Sequence, residues 1–140
     1  MFTLNEGIQK AVDAAIKVHY SDADRLEGKN ILMRNVLIEL IERIIEHDKK
    51  SAPITIKELE QEVFLDVLVK NNKSVIVYGI IDRVDFAHGS LRIIDYKTGK
   101  VEDGAASSVE ELFSSPLYKE QFQTFFYSWL YHSNNKSPGI

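Results

Sequence analysis

The stretch of sequence that decides the fold runs from Gly79 to Lys100 and reads GIIDRVDFAHGSLRIIDYKTGK. Two aspartates, Asp82 and Asp95, interrupt segments in which most other residues are apolar. Burying a carboxylate is costly unless it is paired, hydrogen-bonded or bound to a cation. The pattern therefore predicts two strands of a sheet that carry a polar site.

A tight turn is predicted at His88-Gly89, between two strand-like runs. With these two residues as the loop, Asp82 lies directly opposite Asp95. Directly opposed residues have Cβ atoms about 4.5–5.5 Å apart. Two carboxylates at this separation repel each other unless a cation lies between them, and their oxygens suit Mg²⁺ or Mn²⁺.

Lys97 follows Asp95 by two positions, so both side chains lie on one face of a strand predicted from Leu91 to Lys97. An ammonium beside two carboxylates can orient a water and stabilise charge developing on a phosphate. An Asp and a Lys two apart on a strand also form ordinary surface ion pairs worth less than about 1 kcal/mol. Residue chemistry alone leaves both interpretations open.

Two helices are predicted before this block, from Thr3 to about Tyr20 and from Asn30 to about Lys50. Thr3 and Glu6 match a capping box, and apolar residues recur at i, i+4 after them. The second helix has a wide apolar stripe. This stripe comprises Leu32, Val36, Leu37, Leu40, Ile41, Ile44 and Ile45.

Alternating apolar residues after Pro53 predict a strand from Val63 to Val69 and a two-residue turn at Asn71-Asn72. The next strand, from Ser74 to Val84, is apolar on both faces, which predicts that both faces are covered.

Residues 98–116 are rich in Gly, Ser and acids and predict a loop or lid. A final helix is predicted from about 118 to 133. The three strands form a meander, so the predicted fold class is α/β or α+β, a sheet flanked by helices.

Composition excludes several classes of protein. The 140 residues include no cysteine, which rules out disulfides, a thiolate nucleophile and cysteine-ligated metal clusters. The net charge of −4 argues against a globally basic nucleic-acid binder but not against a local basic patch. No signal peptide or membrane span is evident, so a cytoplasmic location is expected.

The motifs GIIDRVD and IIDYKTGK, followed by Gln123 and Tyr127 four residues apart, resemble the PD-(D/E)XK nuclease superfamily in its RecB/AddB-like branch. That branch carries G-x-x-D-x-x-D, then D-Y-K, then Q-x-x-x-Y. The resemblance covers about residues 53–133. It implies a restriction-endonuclease-like α/β fold, with a central mixed sheet built on a three-stranded antiparallel meander and flanked by helices.

The resemblance also implies residue roles. Asp82 and Asp95 would be metal ligands, with the Tyr96 main-chain carbonyl as a third. Lys97 would position or activate the attacking water, and Gln123 would line the catalytic site. The cofactor would be Mg²⁺ or Mn²⁺ and the reaction hydrolysis of DNA phosphodiesters, with exonuclease action expected.

DNA contacts are expected from Tyr127 and from the basic residues Lys100, Arg83 and Arg92, although these cations also suit a solvated face. The expected partners are single- or double-stranded DNA ends and a helicase module in the same or a partner chain, with no membrane. This setting implies a role in DNA repair or recombination.

The sequence departs from the branch in its histidines. RecB-like members usually carry a metal-binding histidine upstream of the sheet, in a G-x-x-x-H-like context. Only His19 and His47 are present in the N-terminal half, and neither has that context. We expect that this histidine lies upstream of the fragment or is absent.

Glu60 and Glu62 are possible extra acids at the site. The two-residue turn at Asn71-Asn72, however, places Gln61 rather than either glutamate on the face of Asp82.

Residues 1–140 are interpreted as a single nuclease-like domain, with a helical leader over 1–50 and a nuclease core over 53–133, excised from a longer protein. Two alternatives stay open. The first is a catalytically inactive nuclease-like module that binds DNA or acts as a scaffold, and the second is an unrelated α+β interaction domain.

Overall fold

The computed structural model describes residues 3–20, 27–99 and 105–136. The helices are α1 (Leu4–His19), α2 (Lys29–Lys50), α3 (Val109–Ser114) and α4 (Lys119–Lys136), and the strands are β1 (Ile54–Val69), β2 (Lys73–Ala87) and β3 (Ser90–Ile94). The chain divides into unit 1, Met1–Ala52, and unit 2, Pro53–Ile140. Among the described helices, none combines the length and apolar character that a bilayer span requires.

Unit 1 is a pair of helices, as predicted. The capping box is confirmed, because the Thr3 hydroxyl accepts from the Glu6 N–H while the Glu6 carboxylate accepts from the Thr3 N–H. Two residues of the predicted α2 stripe, Leu32 and Val36, are exposed. The apolar contact between the helices joins Ile8, Val12 and Ile16 of α1 to Met33, Leu37, Ile38, Ile41 and Ile45 of α2.

Unit 2 contains a three-stranded antiparallel sheet in the order β1-β2-β3. The turn at His88 and Gly89 is confirmed, because Ala87 pairs with Ser90 and both loop residues have positive φ. The mixed α/β fold class is therefore as expected. Within the described residues every strand pairing is antiparallel.

The loop between β1 and β2 differs from the prediction. Val69 pairs with Lys73, so the loop holds three residues, Lys70–Asn72, rather than the two asparagines alone. Both Asn71 and Asn72 have positive φ, which asparagine tolerates. The extra loop residue shifts the β1–β2 register by one position.

The core of unit 2 lies between the sheet and α4. Its fully buried members are Val63 of β1, Ile81 and Val84 of β2, and Leu130 of α4. Burial of these side chains is what holds α4 against the sheet and sets the distance between them.

The other face of β2 carries Ile76, Tyr78 and Ile80, which are exposed. Coverage of both faces of this strand was predicted. It holds near the hairpin, where the consecutive residues Arg83, Val84 and Asp85 are all buried, but not farther along β2, where the three exposed residues lie. Apolar residues on both faces of a strand do not determine what packs against each face.

The segment predicted as a loop contains α3. The Ser108 hydroxyl caps this helix by accepting from the Glu111 N–H, and the Glu111 carboxylate accepts from the Ser107 N–H and hydroxyl. These caps start the helix without a strong apolar period. Residues 100–104 of the predicted loop lie outside the described residues.

Candidate active site

The two aspartates lie where the β2–β3 hairpin opens, since Asp82 precedes Arg83 and Asp95 follows Ile94, the last pair of the ladder. The β2–β3 ladder ends at Ile94, and Asp95 is the next residue. The Tyr96 N–H donates to Asp82 Oδ2 at 2.7 Å instead of continuing the ladder. For this reason β3 stops three residues before Lys97, where the predicted strand ended.

A closed network of side chains surrounds Asp95. Lys97 Nζ lies 2.7 Å from Asp95 Oδ2 and donates to Gln123 Oε1, also at 2.7 Å. Gln123 Nε2 donates to Asp95 Oδ1 at 3.1 Å and to the Tyr127 hydroxyl at 3.0 Å. The i, i+4 spacing of Gln123 and Tyr127 places both on one side of α4, so a single helix completes the network.

Lys97 acts as a hydrogen-bond donor in this arrangement. The bond to Asp95 raises the pKa of the Lys97 ammonium above its ordinary value, and burial only partly opposes this rise. Lys97 is therefore a cation at neutral pH. A protonated lysine orients water or stabilises negative charge but does not accept a proton.

Gly79 allows α4 to approach the sheet at the site. A Cβ at this position would lie 2.9 Å from Tyr127 Cε1 and 3.2 Å from Leu130 Cδ2. Any larger residue would push the Tyr127 ring away from β2, and with it the hydroxyl that Gln123 contacts. The glycine of the GIIDRVD motif thus has a packing role that sequence reasoning did not assign.

The donor chemistry of the site suits a hard divalent cation. Asp82 and Asp95 supply carboxylate oxygens, and the main-chain carbonyl of Tyr96 follows Asp95 directly. In the described parts of the chain no group of three or more His, Cys, Asp or Glu residues is arranged to hold a metal. The candidate ligand set therefore consists of two carboxylates and a main-chain oxygen.

Comparison with known proteins gives one match. The family model of the PD-(D/E)XK nuclease superfamily matches residues 3–139, nearly the whole chain. The chain belongs to the PD-(D/E)XK nuclease superfamily. No curated protein and no solved structure gives a significant match. Superfamily membership indicates a nuclease domain, because members generally hydrolyse phosphodiesters.

Glu60 takes the register position that the predicted two-residue turn at Asn71-Asn72 gave to Gln61. Gln61 pairs with Ile81, so the position opposite Asp82 belongs to Glu60. Glu60 has a φ of 49°, a left-handed conformation that is uncommon for residues other than glycine. The earlier exclusion of Glu60 rested on the two-residue turn, and the longer loop removes that reason.

The two histidines considered as upstream ligands of this superfamily both lie in unit 1. His19 ends α1 and His47 lies in the last turn of α2, and both are exposed. Their positions suit the negative end of a helix dipole.

Two of the basic residues predicted to contact phosphate form ion pairs within the protein, and the third lies outside the described residues. The Arg83 side chain is only 4% exposed and pairs with Asp85, so the expectation that it contacts DNA is not supported. Arg92 pairs with the same carboxylate through two hydrogen bonds. Lys100 lies outside the described residues.

Asp85 is the second aspartate of the GIIDRVD motif, and sequence reasoning gave it no role. Its side chain is fully buried, and the bonds from Arg92 and Arg83 lower the pKa of its carboxyl despite burial. A signal for it was present, since the His88-Gly89 turn places Asp85 directly opposite Arg92.

Proposed function

We propose that this chain is a metal-dependent DNA nuclease domain of the RecB/AddB type. The observation that carries the proposal is the closed network of Asp95, Lys97, Gln123 and Tyr127, with Asp82 accepting from the main-chain N–H of Tyr96, the residue between Asp95 and Lys97. These residues come from separate motifs whose order in the sequence matches that branch. Surface ion pairs at unrelated positions would not converge in this way.

Asp82, Asp95 and the Tyr96 carbonyl are the residues that would hold Mg²⁺ or Mn²⁺. The ion supplies charge neutralisation at the phosphate and an activated water. The Tyr96 N–H orients the Asp82 carboxylate, and Gln123 orients that of Asp95. Both carboxylates are thus held in place by hydrogen bonds before any ligand arrives.

Lys97 would orient the attacking water and stabilise charge on the phosphate. An ammonium has three N–H donors, and the contacts of Lys97 within the described residues use two of them. The third donor would serve a water or a phosphate oxygen. Gln123 holds the ammonium in place, and Tyr127, whose hydroxyl accepts from Gln123, would contact the DNA backbone.

The wider setting of the proposal follows from the resemblance to the RecB/AddB branch. The domain would act as an exonuclease on single- or double-stranded DNA ends in repair or recombination. It would be part of a longer cytoplasmic protein and would work with a helicase module in the same or a partner chain.

Calorimetric titration with Mn²⁺ near neutral pH tests the metal site. We expect the wild type to bind Mn²⁺, and Asp82→Ala and Asp95→Ala each to abolish binding. Asp66→Ala is the matched control, because Asp66 lies on β1 opposite Ile76 and outside the network. Equal Mn²⁺ affinity in all four proteins would refute the site.

Cleavage of labelled single- and double-stranded DNA in Mg²⁺ or Mn²⁺ tests the reaction. Lys97→Ala is expected to lower the cleavage rate by about 100-fold or more, the usual cost of removing a charge-stabilising donor. Lys73→Ala, on β2 at the loop end of the β1–β2 ribbon, is the matched control and should cleave like the wild type. If cleavage persists in both Lys97→Ala and Asp95→Ala, the assignment of these residues to the catalytic site is wrong.

One observation favours a second candidate, a catalytically inactive nuclease-like module that binds DNA or acts as a scaffold. The Lys97 ammonium already pairs with Asp95, so a divalent ion must compete with it for that carboxylate. An inactive module would bind DNA and show neither Mn²⁺ binding at Asp82 and Asp95 nor cleavage. The same calorimetric titration therefore separates the two candidates.

A further inference from the structure

A buried charge cluster adjoins the candidate active site, because Arg83 follows Asp82 directly in β2. The Asp85 side chain has no exposed surface and accepts from Arg92 Nε at 2.7 Å and Nη2 at 2.8 Å. Arg83 Nη2 lies 2.5 Å from Asp85 Oδ2, the oxygen that Arg92 Nη2 also contacts. The three residues are held by the β2–β3 ladder, in which Asp85 and Arg92 are direct partners.

The cluster connects to the site through Tyr96. Arg83 Nη1 donates to the Tyr96 hydroxyl at 3.1 Å. The main-chain N–H of the same tyrosine donates to Asp82 Oδ2. Tyr96 is thus held at both ends, by a buried cation at its ring and by a candidate metal ligand at its backbone.

We infer that Arg83 and Asp85 are positioning residues for the nuclease site. Arg83, fixed by Asp85, holds the Tyr96 ring and so sets the backbone at Tyr96. The N–H of this residue orients the Asp82 carboxylate, and its carbonyl is the one assigned as a third ligand. The part of the inference that concerns metal binding rests on the proposed function. The position of the backbone at Tyr96 is a property of the protein without metal and can be tested separately.

The physical basis is the difference between buried and exposed charges. A guanidinium that is 4% exposed cannot exchange its partners for water, so its direction is fixed by the few groups around it. Tyr96 itself is 39% exposed, and a loop residue with that exposure would otherwise sample several rotamers. The hydrogen bond from Arg83 removes this rotamer freedom at the residue whose carbonyl is the candidate metal ligand.

The decisive variant is Tyr96→Phe, which deletes the hydroxyl and keeps the backbone N–H and carbonyl. We expect its amide at position 96, measured by hydrogen exchange without metal, to exchange about 3- to 10-fold faster than in the wild type, as befits one lost hydrogen bond. The Mn²⁺ Kd should rise by a similar factor. Tyr78→Phe, which removes a hydroxyl from an exposed tyrosine on β2, is the matched control and should change neither value.

A purely structural role would give a different pattern. In that case Tyr96→Phe would lower the urea midpoint, followed by the fluorescence of the single tryptophan, Trp129, and leave the exchange at position 96 and the Kd of the folded protein unchanged. That result would overturn the inference. Adding Arg83→Lys to Tyr96→Phe should weaken Mn²⁺ binding little further, because both changes remove the same contact.

Failure of the proposed function gives a distinct result. If the wild type binds no Mn²⁺, the metal site is wrong, while the exchange rate at position 96 still decides whether Arg83 positions the backbone at Tyr96. Accelerated exchange in Tyr96→Phe would then support the positioning role alone. An unchanged rate would reject it.

Discussion

Two aspartate–arginine pairs, one in each unit, share the same geometry and differ in their surroundings. Arg34 donates to Asp13 through Nε and Nη2 at 2.5 and 3.0 Å, and Arg92 donates to Asp85 through the same two atoms at 2.7 and 2.8 Å. The Asp13 side chain is 37% exposed, whereas that of Asp85 is fully buried. Similar contact geometry therefore carries different energetic weight, because water screens the first pair and is excluded from the second.

The difference extends to the two units as wholes. Unit 1 buries three apolar residues of α1, and no described residue of α2 is fully buried. Unit 2 buries apolar side chains of both sheet and helix together with two charged ones, Arg83 and Asp85. All described contacts of the candidate active site lie within unit 2. Buried charge thus occurs beside the site, where fixed directions are useful.

The largest expected effect on stability is that of Asp85→Asn. The change leaves the buried Arg83 without its counter-charge, and breaking a buried pair in this way costs about 3 kcal/mol or more. Urea unfolding monitored by Trp129 fluorescence measures it, with Asp66→Asn as the control on the same sheet. A cost below about 1 kcal/mol would contradict the claim that the buried pair of unit 2 contributes more to stability than the exposed pair of unit 1.

The pH dependence of unfolding gives a second test of the contribution of Asp85 to stability. Arg92 and, after it, Arg83 hold the pKa of the Asp85 carboxyl below its ordinary value of 3.8. A depressed folded-state pKa contributes stability above the unfolded value, and that contribution is lost as pH falls through the folded value. The stability gap between wild type and Asp85→Asn should therefore be constant near neutral pH and shrink below about pH 3.8. A gap that widens on acidification would contradict this assignment.

Two glycine-to-alanine substitutions should change the stability of the protein in opposite directions. Gly79→Ala in unit 2 places a Cβ against Tyr127 and Leu130 and is expected to cost about 1–3 kcal/mol. Gly7→Ala in α1 meets nothing within 4 Å and should stabilise the helix by up to about 1 kcal/mol. Trp129 fluorescence reports the first and amide exchange in α1 the second. If both substitutions changed stability in the same direction, the close approach of α4 would not be what determines the effect of a Cβ at position 79.

The smallest expected effect is that of Asp13→Asn in unit 1. Arg34 also lowers the pKa of Asp13, but both groups are partly exposed, so the pair is worth less than about 1 kcal/mol. Amide exchange in α1 and α2 measures the change, and added salt should reduce it further. A loss as large as that from Asp85→Asn would mean that exposure does not control the value of this contact.

The elements with strong local signals were predictable. The capping box, both N-terminal helices and the positive-φ turn at His88 and Gly89 depend on neighbours within a few residues. This turn also fixed the β2–β3 register, and with it the positions of Asp82 and Asp95 at the open end of the hairpin. The β1–β2 register was not predictable in the same way, since a loop of two or three residues around Asn71 satisfies the same preferences, and that single residue decides whether Gln61 or Glu60 lies opposite Asp82.

By itself the sequence determined the order of the motifs and the superfamily that they resemble, because those motifs are short and local. Only the tertiary structure decided which charges work together: Lys97 meets Gln123 from a distant helix, and Arg83 turns inward to Asp85 and Tyr96 instead of outward to DNA. The physical reason is that the energy of a charge depends on its burial and its partners. Both are set by register and packing between segments that are far apart in the chain.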